Sequence, residues 1–154
     1  MASTGKILAI TGAVLAGVLI FSVATCMLCV GGVAHSIDKK QKEEAEAVKS
    51  GPATNITASS LVAAYKANEV QADSKYKGET LEVSGVVKSI SKDILDSAYI
   101  TLSGGDPVRS VQCYFQASEQ SKLGSLNKGQ SLTVRGRCEG VMMNVQLKDC
   151  VIVD

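Results

Sequence analysis

Between Ile7 and Ala34 the chain carries no Asp, Glu, Lys or Arg. A helix needs about 20 mainly apolar residues to cross a bilayer, each adding 1.5 Å of rise. The run exceeds that length, so it is expected to form one membrane-spanning helix, with tilt to absorb the excess. Such a helix cannot share a core with a water-soluble domain. The chain therefore divides into a transmembrane anchor over residues 1–35, a charged helical spacer and linker over 36–56, and a soluble domain over 57–154. A cleaved signal is the alternative for the first segment, but its apolar core would be shorter. A lipoprotein would need Cys26 as the modified residue, and Thr25 before it is larger than the residues such sites use.

Two features of the anchor bear on its surroundings. Lys39, Lys40, Lys42 and Lys49 lie after the run and only Lys6 precedes it, which by the positive-inside rule favours a cytoplasmic domain. A short tail ahead of a first span is, however, the layout of an anchor that exports the domain behind it. The expectation here is a single-pass membrane protein with an extracytoplasmic domain and the lipid bilayer as its first partner. Ala9, Ala13 and Gly17 recur every four residues, the spacing at which small side chains let helices approach closely. They offer a homodimer contact.

After the spacer, Gly51 and Pro52 break the helical pattern. Thr57 has the position of a helix N-cap, with Ile56 and Leu61 placed as a hydrophobic staple. Leu61, Ala64, Tyr65, Asn68 and Ala72 share one helical face, which predicts a helix over about 58–72. From Glu79 the apolar period changes to two. Leu81, Val83, Gly85 and Val87 lie on one strand face, and alternation resumes at Ala98–Ser103, Ser110–Phe115, Gln130–Cys138 and Asn144–Ile152. Between the third and fourth strands, residues 118–126 read as a short helix ending near Gly124, with Leu123 and Leu126 as its core contacts. The fold class is mainly β: a five-stranded OB-fold Greek-key barrel, with an N-terminal helix and a short helix between strands three and four. Gly85 and Gly136 sit in mid-strand, where a barrel bends or a neighbour needs room.

The order of these elements carries a family likeness. Tyr65-Lys66-x-Asn68, Tyr76-Lys77-Gly78, Leu81-x-Val83-x-Gly85-x-Val87, Lys128-Gly129-Gln130, Val134-x-Gly136-x-Cys138-x-Gly140 and Val145-x-Leu147-x-Asp149-Cys150 resemble the tRNA_anti-like family. The resemblance spans about residues 57–152. It implies an OB-fold domain similar to anticodon-binding modules, in a family often exported or membrane-attached. It brings no catalytic residues.

Charge and composition narrow the function. From Thr54 onward the chain holds eleven basic and eleven acidic residues. A dedicated nucleic-acid binder carries a basic excess that displaces counterions. The domain has none, so nucleic acid is possible only through a local patch and is not favoured. The single histidine, His35, lies at the membrane edge. Without one in the domain, the usual Ser-His or Cys-His nucleophile is lacking. No phosphate loop or zinc-protease motif occurs, and the one C-x-x-C spacing, Cys26 and Cys29, lies within the apolar run, where lipid surroundings disfavour a thiolate or a dication. The reading is therefore of a binding module, not an enzyme, with no cofactor and no metal.

An OB barrel binds ligands on the outer face of its second and third strands, bordered by the first–second and fourth–fifth strand loops. Those loops are expected at Ser89–Ser97 and Glu139–Met143. The candidate surface is Lys88, Tyr99, Arg109, Tyr114, Arg135 and Arg137, with Met142 and Met143 as an adaptable apolar edge. Recognition of a protein or other envelope component leads. Single-stranded nucleic acid, stacked on Tyr99 and Tyr114, is the alternative. Cys113, Cys138 and Cys150 belong to the domain. In an exporting compartment Cys138 and Cys150 could pair, and three buried thiols are the other option.

Overall fold

The computed structural model describes residues 39–153, apart from Gln41. The expected span at 7–34, with its dimer stripe Ala9, Ala13 and Gly17, lies outside the described residues. Among the described residues no helix is long and apolar enough to cross a membrane. Residues 39–43 belong to one unit, where Lys39 lies 4.0 Å from Glu43 one helical turn on. Glu44 to the C-terminus forms the other, which contains all the strands among the described residues.

In this second unit nine elements come after a helical segment at 44–50. They are β1 (Thr54–Thr57), α1 (Ala58–Ala67), α2 (Glu69–Tyr76), β2 (Thr80–Lys92), β3 (Ala98–Ser103), β4 (Ser110–Phe115), α3 (Gln120–Leu123), β5 (Ser131–Met142) and β6 (Asn144–Val153). Strands β2 to β6 close into a barrel. Its hydrogen-bonded order is β2-β3-β4-β6-β5, and β5 returns to β2. All neighbours are antiparallel except β4 and β6, which run parallel. This is the five-stranded OB-fold expected from the two-residue period.

The long β2 makes closure possible by changing partners. Thr80–Val86 pair with β5, and Val87–Lys92 pair with β3 across a bulge at Lys88. Alternate residues point inward, so Leu81, Val83, Ile100, Leu102, Val134 and Leu147 are fully buried. Helix α1 plugs one end with Ala58, Leu61, Val62 and Tyr65, the i, i+3, i+4, i+7 stripe of an amphipathic helix. A Cβ on Gly85 would lie 3.0 Å from Ala58 Cβ and 3.3 Å from Leu102 Cβ. The glycine therefore marks where the start of α1 presses on the barrel.

Three expectations change. The helix expected over 58–72 is two helices, because Asn68 leaves the helical region at φ −160° and ψ 101°. Its side chain accepts from Gln71 N (3.0 Å) and so starts α2. Asparagine offers the backbone this local alternative wherever it occurs in a helix. The second change is β1. Thr54, Ile56 and Thr57 favour extended structure, and they pair in parallel with Leu81–Ser84. Thr57 still caps α1, accepting from Ser60 N at 3.1 Å. Third, residues 44–56, expected as spacer and linker, pack on the barrel. Val48 is only 2% exposed.

Candidate ligand-binding wall

The barrel presents two outer walls of opposite character. On the first, Arg135 and Arg137 project from β5 as their alternation predicts. The wall is covered. Arg135 donates through Nε to Val48 O (2.5 Å), through Nη1 to Glu82 Oε1 (3.0 Å), and through Nη2 to Gly51 O. Arg137 meets Glu44 (3.1 Å), Glu139 (3.3 Å) and Asp149 (3.4 Å). Gln116 Nε2 donates to Ala45 O at 3.4 Å. Both guanidinium groups are thus committed within the fold, Arg135 mainly to holding segment 44–51 and Arg137 to Glu44 and to carboxylates of β5 and β6.

The second wall consists of β3 and β4. Tyr99 and Tyr114 are direct cross-strand partners. Their rings stand 5.4 Å apart at 44°. Ile100 and Cys113 beside them are buried, so both tyrosines point outward. Gln112 Nε2 donates to Tyr114 OH at 3.0 Å. Burial, then the nearby Asp93 and Tyr99, push the Tyr114 phenol up. Thr101 pairs with Gln112, and Ser89 and Ser91 on β2 continue the wall. It is uncharged and polar around one aromatic pair. Lys88, left unpaired at the β2 bulge, reaches Ser110 on β4 at 3.2 Å.

Hairpin tips border this wall. Strand β2 runs to Lys92, so its loop is 93–97, shorter than the expected 89–97. Asp93 Oδ1 accepts from Leu95 N (2.8 Å) and Ser97 N (2.9 Å), and Lys92 pairs with Asp96 at 2.8 Å. Ile94 and Leu95 are 101% and 80% exposed. At the other tip β5 continues to Met142, which pairs with Asn144. The expected loop 139–143 shrinks to Met143, whose φ is +66°. Met142 and Met143 are 74% and 80% exposed, while Val141 packs on the core. Asn144 Oδ1 accepts from Ser110 N (3.0 Å), pinning this tip to the start of β4.

Arg109 stands apart from the wall, with its Nη1 3.5 Å from Tyr65 O at the end of α1. The turn before it is organised by Asp106, which accepts from Val108 N (2.8 Å), Arg109 N (3.0 Å) and Lys66 Nζ (2.6 Å). The Lys66 ammonium, with these two amides, holds the Asp106 carboxyl well below the usual range. A depressed acid stabilises the fold above its unfolded value of about 3.9 and loses that contribution as pH falls through the folded one. Asp106→Asn is therefore expected to flatten the stability loss below about pH 4. Paired pH titrations of urea midpoints would check this, and parallel acid limbs would refute it.

Among the described residues the cysteines are Cys113, Cys138 and Cys150, all buried, unbonded thiols. Cys138 Sγ lies 3.5 Å from Tyr65 OH, and Phe115 pairs with Cys150 one strand away. The Cys138–Cys150 bond is not formed. Burial pushes both thiols up, which disfavours the reactive thiolate. Native alkylation and then peptide mass mapping should leave Cys113, Cys138 and Cys150 unmodified, and denaturant should expose all three. Rapid labelling of any of them in the native chain would contradict this packing. Among the described residues no His, Cys, Asp and Glu cluster could hold a metal ion.

The candidates separate into groups. Tyr99 and Tyr114 meet on one wall, with Lys88 at its margin and Met142 and Met143 at one tip. Arg109, Arg135 and Arg137 lie elsewhere, engaged by protein partners. Alternation alone does not pick out Gln112, Ile94 or Leu95. An apolar pair between Asp93 and Asp96 is the available signal, since turns rarely expose two aliphatic side chains without use.

The tRNA_anti-like family model matches residues 4–151. No curated protein matches the chain. Among solved structures, a "putative nucleic acid-binding lipoprotein" from Klebsiella pneumoniae is similar, at 22% identity and a TM-score of 0.53. The match covers 64% of this chain and 92% of that one. An asparaginyl-tRNA synthetase from Entamoeba histolytica matches at 14% identity and a TM-score of 0.42, covering 66% of this chain and 24% of that one. The first likeness concerns the fold, and the second is too distant to carry an argument.

Proposed function

The chain belongs to the tRNA_anti-like family, and we propose that it is a membrane-anchored binding module without catalysis of its own. In this reading its OB barrel recognises a protein or other envelope component on the β3–β4 wall. One observation carries it: the outward Tyr99–Tyr114 pair stands on that wall, while the Arg135 wall is covered by the chain itself. Aromatic side chains give large contact area at low entropic cost. In this reading the anchor at 7–34 keeps the module at a membrane, with the domain on the extracytoplasmic side. Because the native domain thiols are buried, sidedness needs a new one at an exposed site. Ser118→Cys should react with a membrane-impermeant maleimide in intact cells, and labelling only after lysis would reverse the orientation.

Single-stranded nucleic acid is a second reading. The same ring pair favours it, since bases stack on tyrosine, and so does the name of the Klebsiella lipoprotein. Against it, all three domain arginines are engaged and Asp93 lies beside Tyr114. The test is oligothymidylate titrated into the full chain in detergent at rising salt. The leading reading expects no saturable binding. Binding with a steep salt slope, weakened by Tyr99→Ala, would establish the second reading instead.

A further inference from the structure

We infer that the β3–β4 wall takes an extended polypeptide segment of about seven residues, apolar at both ends and free of acidic side chains, held between the two hairpin tips. The inference rests on the reading of this wall as the binding face.

The tips show the apolar ends. Ile94, Leu95, Met142 and Met143 are among the most exposed apolar residues described, and they gain nothing from the core in that state. Both tips are nonetheless held in fixed shape. Asp93 accepts from two backbone amides of its own turn, and Asn144 ties the opposite tip to Ser110. Met143 occupies φ +66°, where glycine or asparagine would sit with less steric opposition. A side chain kept exposed at a sterically unfavourable backbone position points to a role outside folding. Methionine suits such a role because its flexible thioether adapts to a partner's shape.

The floor between the tips sets the middle of the segment. Tyr99, Tyr114, Gln112 and Thr101 supply rings, amide and hydroxyls without charge. This composition is the one antibodies use for protein surfaces. Their donors and acceptors fit the exposed N–H and C=O groups of an extended backbone. Asp93 at one end opposes acidic side chains, the domain arginines are turned away, and the Lys88 ammonium at the margin is held on Ser110. Register sets the length. Ser110 lies beside the Asn144 tip and Tyr114 pairs with Tyr99, next to the other tip. Four strand steps of about 3.3 Å separate them, and the tips add roughly one residue at each end.

The test uses the full chain in detergent micelles, labelled with fluorotyrosine. It contains 4 tyrosines, of which Tyr65 and Tyr76 are buried and serve as internal controls. Random peptides of about seven residues are selected against it by display. Selected sequences should carry apolar residues at both ends and lack Asp and Glu. They should shift the fluorine signals of Tyr99 and Tyr114 and leave those of Tyr65 and Tyr76 in place. Ile94→Ser with Leu95→Ser, or Met142→Ser with Met143→Ser, should weaken binding roughly tenfold, as loss of an apolar anchor does. All four side chains are exposed, and unmoved control signals would show that the variants fold. Failure to enrich any peptide, or equal binding to the tip variants, overturns the inference. If oligothymidylate moves Tyr99 and Tyr114 when no peptide does, the inference falls and the wall stands as a binding face. If no probe moves them, both fall.

Discussion

Replacing Arg135 with alanine is expected to lower stability by about 2–4 kcal/mol and to release residues 44–53 from the barrel. The guanidinium reaches two carbonyls, Val48 O and Gly51 O, and the Glu82 carboxylate. Its side chain is 14% exposed and that of Glu82 23%. Removing the arginine therefore leaves a half-buried carboxylate and two carbonyls without this donor, and such orphaned groups cost more than the bond itself gains. Val48 would lose its cover at the same time. Arg135→Lys should recover only part of the loss, because one ammonium cannot reproduce a planar fork aimed at three acceptors. Urea midpoints measure the first effect, and amide hydrogen exchange over residues 44–57 measures the second. Slow exchange there in Arg135→Ala would show that the arginine does not hold the segment.

Gly136→Val is expected to cost about 3 kcal/mol or more through overpacking. A Cβ at this position would lie 2.6 Å from Cys150 Sγ, 3.1 Å from Lys148 O and 3.2 Å from Leu147 Cβ. The thiol is fully buried, the carbonyl belongs to β6, and the leucine is in the core. None is a flexible side-chain end that can swing away. The register between β5 and β6 already shifts between Arg135 and Arg137, so the strands approach closely where the glycine sits. Gly136→Ala should destabilise in the same direction by less. Cys150→Ala in the same chain should restore part of it, a coupling that a double-mutant cycle reads directly. Additive effects would place the clash elsewhere.

Much of the fold is legible in the chain because barrels impose a two-residue period. Leu81, Val83 and Val87, or Val145 and Leu147, alternate with polar residues, so strand existence and facing can be read locally. Thr57 is readable as a cap because its hydroxyl acts on its own next turn. Asn68 is ambiguous for a related reason: its amide also acts locally, but it serves either a continuing helix or a break. The shortness of β1 hides it. Four residues carry too little period to register, and its pairing with Leu81–Ser84 is a long-range fact.

The site divides along the same line. Alternation places Tyr99, Tyr114, Arg135 and Arg137 outward, and all four point outward. It cannot say what lies over an outward side chain. Segment 44–51 lies over the arginines, whereas the tyrosine pair meets Gln112 and its own partner ring on the same sheet. Whether a residue points out is a local property of the strand, set by backbone geometry every second position. Whether it is free to meet a ligand depends on which distant segment packs against it, and no local period encodes that. By itself, the sequence determined the charge-free run at 7–34, the barrel strands and the neutrality of the domain. Tertiary structure decided which wall is open, because covering a guanidinium takes carbonyls and carboxylates brought together from residues 44, 48, 51, 82 and 149.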